Sequence, residues 1–422
     1  VMRNVITLVT LLVLVGAGLG LSLLRPTPLP RTIEVVPPAT TKLVCAPMAQ
    51  AGTLFVDGAD TITPLGGDGI VAVGPTQVPD QSGASVILGG SALVGGMLTL
   101  GDGTGGWTPC TAPTSQGTIV VPGAADTDLL VVNPDSSEAV VDLSLYGTNG
   151  EIVALGARGI ALGPHSTRAI ALSVLVEQDG PIGVSFSASR GRATVVARTT
   201  TARGVLETAT ASTQGTDHWL PGVQAGATVA SLLVTNPGNE RAVVDVTAHG
   251  ASVAYQPEGG AGVSVPAHSS IAVDLAPSLA GEATGLHVTA DIDVAVSLST
   301  GNGSDLAFTA PVTTSNRLGA YAPAGGVLQV SNPGETDLEV SLVDDVVDGR
   351  STTTEHTVPA GSTLALPLES SAPRGQVVTI TANRPLFGAV VGSDTGVSIV
   401  PLSSRAAPEV SPVDAEIVPT LR

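Results

Sequence analysis

The sequence predicts an all-β protein: tandem β-sandwich repeats behind a single amino-terminal transmembrane helix. Three observations carry that reading. Glycine (51) and proline (31) are abundant in the 422 residues and charged side chains make up only 13%. With Val, Ala, Thr and Ser filling much of the rest, this composition favours short strands and turns over helices. LLVTNPGNERAVVDVTAHG at 232–250 has near-copies at 129–147 (LLVVNPDSSEAVVDLSLYG) and 328–346 (LQVSNPGETDLEVSLVDDV), and the three align without a gap. Finally, residues 5–24 contain no charge.

A helix of that length rises about 30 Å, the thickness of a bilayer core. Residues 1–25 are therefore a transmembrane signal-anchor or a cleaved signal peptide. Gly18 and Gly20 sit at cleavage spacing, but Leu21, Leu23 and Leu24 prolong the apolar run and no Ala-x-Ala precedes Arg25, which favours the anchor. Val44 stands before Cys45 where a lipoprotein would need a small residue. Arg3 on one side, with Arg25 and Arg31 on the other, leaves the charge rule nearly silent on orientation. The opening Val1-Met2 reads as a literally translated alternative start or as the edge of a fragment. Residues 26–42 form a stalk, with prolines at 26, 28, 30, 37 and 38 favouring an extended spacer.

Cys45 and Cys110 are the only cysteines. An even pair without Cys-x-x-Cys or nearby His spacing points to a disulfide, the alternative being two buried thiols. A disulfide implies an oxidising compartment and would constrain the unfolded chain by roughly 3 to 5 kcal/mol. It would staple residues 43–112, a divergent, glycine-dense β domain with a small core. There LVCAP resembles the opening of the later units and GGMLTLGDGTGGWTPC their closing hairpin, with Trp107-Thr108-Pro109 echoing Trp219-Leu220-Pro221.

Three repeats follow, at 116–214, 216–315 and 318–402. Their asparagines, Asn133, Asn236 and Asn332, lie 103 and 96 residues apart. That period is too long for a propeller blade and fits a sandwich of about seven strands. Each asparagine precedes a proline, Pro134, Pro237 and Pro333. Proline cannot donate to a ladder, while the asparagine side chain can accept a bond from backbone beyond it, so the pair stops one strand and starts a tight turn. A second landmark follows in LGPHSTRAIAL, VPAHSSIAVDL and VPAGSTLALPL, in which His165, His268 and Gly361 share one position. Two closing strands with a glycine-containing turn end each unit. Residues 403–422 lack apolar periodicity and read as a disordered tail.

The Asn-Pro turn, the V-P-A-G-S step and the closing strands resemble immunoglobulin-like repeats of secreted actinobacterial proteins. The plan as a whole is similar to an uncharacterised actinobacterial family of large secreted or membrane-anchored proteins, over roughly residues 40–402. This resemblance implies a tandem immunoglobulin-like fold and no known activity.

Composition narrows the function classes. Nine aromatic residues in the whole chain argue against aromatic-lined sites for small molecules, sugars or single-stranded nucleic acid. A net charge of -19, with Lys42 the lone lysine, repels nucleic acid and anionic lipid headgroups. No Gly-x-Ser-x-Gly or Ser-x-x-Lys occurs, and the six histidines lack metal-ligand spacing. His165 and His268 are expected to be solvated turn residues, since glycine fills their position in the third unit. The acidic groups Asp291 with Asp293, and Asp344, Asp345 and Asp348, are expected in turns or at loop borders, where solvated charge is the ordinary outcome. GDGTGG at 101–106 is expected to be a hairpin turn, lacking what a phosphate loop needs. Trp107 and Trp219 are expected in core or inter-domain packing rather than as sugar platforms. No catalytic residue, metal or cofactor is expected.

The resulting expectation is a non-catalytic cell-envelope protein, single-pass in the cytoplasmic membrane with its bulk extracytoplasmic, or secreted if the leader is cleaved. It would act as a scaffold, spacer or protein-interaction rod. Its partners would be the membrane and an envelope protein or glycan, but not nucleic acid. The alternative is a polysaccharide- or peptidoglycan-binding protein.

Overall fold

The computed structural model describes residues 40–405 apart from 49, 102–103, 201–205, 304, 324, 347–348, 369–374 and 393–395. The apolar segment 5–24, the stalk up to residue 39 and the tail from 406 lie outside the described residues. Among the described residues no helix is long and apolar enough to cross a membrane. The described residues belong to one compact unit. Its regular secondary structure is almost entirely antiparallel strand, relieved by a helical turn at Leu172–Leu175 and a 3-10 turn at Ala276–Ser278.

The N-terminal domain contains β1 (Thr41–Cys45), β2 (Gly52–Pro64), β3 (Ile70–Val71), β4 (Thr76–Gln81), β5 (Ser85–Gly101) and β6 (Thr104–Pro109). They make one sheet ordered β1-β5-β2-β3, with β4 also on β2 and β6 also on β5. Register shifts between Asp57 and Thr61 kink the long β2/β5 pair. Leu54, Val56, Ile62, Ile87 and Met97 form a small core with Cys45 and Cys110, which are disulfide-bonded. β5 and β6 are a hairpin, as GDGTGG foretold, although residues 102–103 of its turn lie outside the description.

Unit 1 has β7 (Gln116–Val121), β8 (Thr127–Asn133), β9 (Ala139–Gly147), β10 (Gly150–Ile152), β11 (Ile160–Leu162), β12 (Ser166–Ala171), β13 (Ile182–Arg190), β14 (Thr194–Thr200) and β15 (Leu206–Thr210). One sheet runs β10-β9-β13-β7 with β11 on β9, and the other runs β12-β8-β14-β15. Ile119, Leu143 and Val184 of the first meet Leu129, Val131 and Val195 of the second in a common core.

Unit 2 has β16 (Gly215–Val223), β17 (Val229–Asn236), β18 (Ala242–His249), β19 (Ala254–Tyr255), β20 (Val263–Val265), β21 (Ser269–Asp274), β22 (Thr284–Gly301) and β23 (Leu306–Thr309). Unit 3 has β24 (Ser315–Ala322), β25 (Val327–Ser331), β26 (Leu338–Val346), β27 (Ser351–Val358), β28 (Thr363–Pro367), β29 (Gln376–Gly392), β30 (Ser398–Pro401) and β31 (Ser403–Ser404). In each, one long strand serves both layers. β22 pairs with β18 through Gly285–Ala290 and with β17 through Ala295–Gly301. β29 pairs likewise with β26 and then with β25. Asp291 and Asp293 therefore lie within a continuous strand at its crossing between layers, not in the expected turn.

Strands β8 and β17 explain why the repeated apolar run does not alternate. Leu129 and Val131 of β8 enter the core of unit 1, while Leu130 packs on Ala46 and Val132 on Val44 of the N-terminal domain. In β17, Leu232 and Val234 enter their own core and Leu233 meets Val120 of unit 1. A strand buried on both faces needs a neighbour, and every body here has one.

Those neighbours close on themselves. Phe55, Leu98 and Trp107 of the N-terminal domain share one core with Leu318, Tyr321 and Val377 of unit 3. Arg405, just past β31, pairs with Asp57. The innermost strands gather about one centre, with β15 against β6 and β23, and β30 against β23 and β6. The expected rod of separate beads is thus replaced by a closed ring of four packed bodies. Ser403 and Ser404, read as the start of a tail, pair with β24 of unit 3, and Arg405 after them bonds Asp57 across the closure.

Candidate functional site

Asn133, Asn236 and Asn332 are fully or almost fully buried (0%, 0% and 1% exposed), and each makes the same four backbone bonds. Oδ1 accepts from the N–H two residues on, that of Asp135, Gly238 or Gly334, at 2.9 to 3.1 Å. This is the turn expected for Asn-Pro. The Nδ2 group donates to the carbonyl four residues on, in Ser137, Glu240 or Thr336. It also donates to a distant pair of carbonyls: Leu162 and Gly163, Val265 and Pro266, or Val358 and Pro359. The second sequence landmark is therefore the far end of the first, clamped by one amide.

Position 165/268/361 has φ of 47°, 55° and 64°, the left-handed region that favours glycine. Its N–H donates to the carbonyl of Asp135, Gly238 or Gly334. His165 is exposed. His268 departs from the expected solvated turn: it stacks on Tyr146 of unit 1 at 6.2 Å and bonds Asn239 at 3.0 Å.

The unit junctions follow one rule. Ser270 of unit 2 donates to the Tyr146 carbonyl of unit 1 at 2.8 Å and accepts from the Gly183 N–H at 3.0 Å. Thr363 of unit 3 donates to the His249 carbonyl of unit 2 at 2.7 Å and accepts from the Gly285 N–H at 3.2 Å. Thr235 and Ser331 bond those hydroxyls from beside them, at 2.8 Å in both cases. A Cβ on Gly183 would collide with Thr235, and one on Gly285 with Ser331 and, at 2.7 Å, with Phe387. Glycine is needed here for close approach.

Both tryptophans are packing residues, and neither is a solvent-facing platform. Trp107 is 5% exposed, in the core shared with unit 3. Trp219 stacks on His287 at 3.7 Å between ring centres and lies 5.1 Å from Phe387 of unit 3. His249 joins this cluster, 5.8 Å from Phe387. Burial pushes the His249 imidazole down, and it does the same to His287 despite the opposing pull of Asp217 at 3.3 Å. His218 is buried, its Nε2 at 2.9 Å from the Gly215 carbonyl and 3.1 Å from that of Val294.

The acidic groups stay apart. Asp291 accepts from the Val243 N–H at 2.7 Å. Asp344 and Asp345 lie in β26 opposite Thr352 and Ser351, and Asp348 lies outside the described residues. Among the described residues no three His, Cys, Asp or Glu side chains gather as a metal site.

What the assembly does gather is at the ring centre. A cavity of about 440 Å³ opens where all four bodies meet, lined among others by Cys110, Thr210, Gln214, Phe308, Pro401 and Ser403. Its lining combines hydroxyls, amides and short apolar groups with the side chains of Asp217 and His218, the histidine Nε2 lying within bonding distance of the Gly215 and Val294 carbonyls. At the other end of the same central strands are two buried carboxylates, Glu207 at the start of β15 and Asp305 before β23. Sequence reasoning passed over both, because each belongs to a short strand or turn whose burial depends on three other bodies.

A family of unknown function (DUF5719) matches over residues 90–369. No curated protein matches the chain. Among solved structures, a Streptomyces avermitilis alpha-L-rhamnosidase complexed with L-rhamnose aligns at 10% identity and a TM-score of 0.12, covering 88% of this chain and 55% of the other. The chain thus spans about half the length of that enzyme. The tetra-tandem repeat in the extending region of a large adhesion protein aligns at 14% identity and a TM-score of 0.09, covering 87% of this chain and 100% of the other. Scores so low carry no argument about fold or activity.

Proposed function

The chain belongs to DUF5719, a family of unknown function, and from its own architecture we propose that it is a non-catalytic, extracytoplasmic scaffold of the cell envelope, tethered by its apolar amino-terminal segment. The Cys45–Cys110 disulfide is the observation that carries this reading, because such bonds persist in oxidising compartments. The three units are duplicated immunoglobulin-like sandwiches in this proposal, and their closed packing makes a rigid body suited to presenting a protein-binding surface. For the glycan-binding alternative, Trp107 and Trp219 give no support, since both are engaged in packing.

Two measurements test it. In intact cells, Cys45 and Cys110 should resist alkylation until a reductant is added, and a reporter fused after Arg422 should be active outside the cytoplasm. Freely alkylated thiols with a reporter active only inside would sink the location. Crosslinking should capture a defined set of envelope proteins, whereas saturable binding to purified envelope glycan without such proteins would replace the scaffold reading with the alternative.

A further inference from the structure

Four bodies meet around one carboxylate. Asp305 of unit 2 accepts at Oδ2 from the Gly105 N–H of the N-terminal domain at 3.2 Å and from the Val397 N–H of unit 3 at 2.7 Å. Two backbone donors suit an anion there. Its other oxygen, Oδ1, is buried without a partner. The fourth body, unit 1, brings Glu207, which is 1% exposed and whose Oε1 is likewise unpartnered. Asp305 is 1% exposed as well.

Glu207 lies on β15 and Asp305 just before β23, which packs against it, and among the described residues no cation bonds either carboxyl; two buried anions so placed would be costly, and a proton on one of them removes the cost. We propose that Glu207 is a proton lock: it keeps its proton in the closed ring, and losing that proton loosens the junction around Asp305. Burial first, and then the charge of Asp305, hold the Glu207 carboxyl well above its ordinary 4.5. Among the described residues no other group opposes this. Of the elements packed against β15, β6, β7 and β23 bring no ionisable side chain, and neither does β30 beyond them. β14 brings Arg198, which is committed to Asp128 at 3.0 Å.

The sign follows from linkage. A carboxyl raised in the folded state adds stability that is complete below the unfolded value of 4.5 and is lost as pH rises through the folded value. Alkali therefore opens the lock.

Amide exchange at Gly105 and Val397 in the full chain reads the junction directly. In the wild type, protection of these two amides should fall by up to about tenfold per pH unit across that window. In Glu207→Gln, a neutral isostere, it should stay level. Equal pH dependence in the two proteins would overturn the proposal. So would restoration of wild-type protection by millimolar calcium at pH 8, which would make the pair an ion site. If the variant fails to fold, proton exchange on unfolding of the wild type at pH 8 decides: net release supports the lock, and no release or net uptake overturns it.

Discussion

The ring is held by two kinds of contact, and they differ in what they permit. Units 1 and 2, and units 2 and 3, join through a hydroxyl seated on a glycine, with Ser270 on Gly183 and Thr363 on Gly285. Those glycines pair in register with Tyr146 and His249. In unit 3 the same register position, opposite Asp345, holds Val377. No further unit can seat its hydroxyl there. The surface instead receives Phe55 and Trp107, with Phe55 edge-on to Tyr321 at 5.1 Å. A duplicated junction propagates by itself, so a finite assembly needs one place where the rule is broken. Val377 and the aromatic face it joins are that place.

The largest effect should come from attacking the closure. Phe55 is 3% exposed and touches both Trp107 and Tyr321, so Phe55→Ala should cost about 3–5 kcal/mol in denaturant unfolding. The loss should appear together in the N-terminal domain and unit 3, read by tryptophan fluorescence from Trp107 and by faster exchange of unit 3 amides. A loss below about 1 kcal/mol, in the range of a surface change, would mean the closure is a weak contact and the ring comparison fails.

Much of this was legible in sequence where the signal was local. Asn133, Asn236 and Asn332 showed by spacing that they end strands, and their acceptor role in the turn followed from chemistry. Their donor role did not, since Nδ2 reaches carbonyls 29 and 30 residues away in units 1 and 2, and 26 and 27 in unit 3. The rod expectation failed for a readable reason. Leu129 to Val132 is apolar without alternation, and a strand of that kind is covered on both faces. Asp291 and Asp293 were placed in a turn because acidic residues flanking one isoleucine mimic one, whereas β22 carries them straight through. Glu207 and Asp305 had no sequence signal, because their burial is made by four bodies meeting.

At the duplicated junction a smaller effect is expected. Gly285→Ala places a methyl against Ser331 and Phe387, and the overpacking should destabilise by about 1–3 kcal/mol. Adding Ser331→Gly to that variant should recover part of the loss, measured as a double-mutant cycle. An additive pair would show that the methyl is accommodated elsewhere and that close approach at Gly285 does not define the junction.

The smallest effect separates the two duplicated junctions from each other. Tyr146 stands at the first where His249 stands at the second, with His249 set beside Trp219, His287 and Phe387. Burial lowers the His249 imidazole below its ordinary 6.5. A histidine lowered in the folded state adds stability that is present above 6.5 and lost as pH falls through the folded value. Mild acid should therefore loosen the junction of units 2 and 3, by at most about tenfold in its opening equilibrium per pH unit for this one group, and leave that of units 1 and 2 unchanged. Exchange of the Gly285 and Gly183 amides, followed from pH 7.5 to 5, compares the two in one experiment. His249→Tyr should make the second junction behave like the first. Parallel loss at both amides in acid would assign the sensitivity to something the junctions share, and His249 would no longer distinguish them.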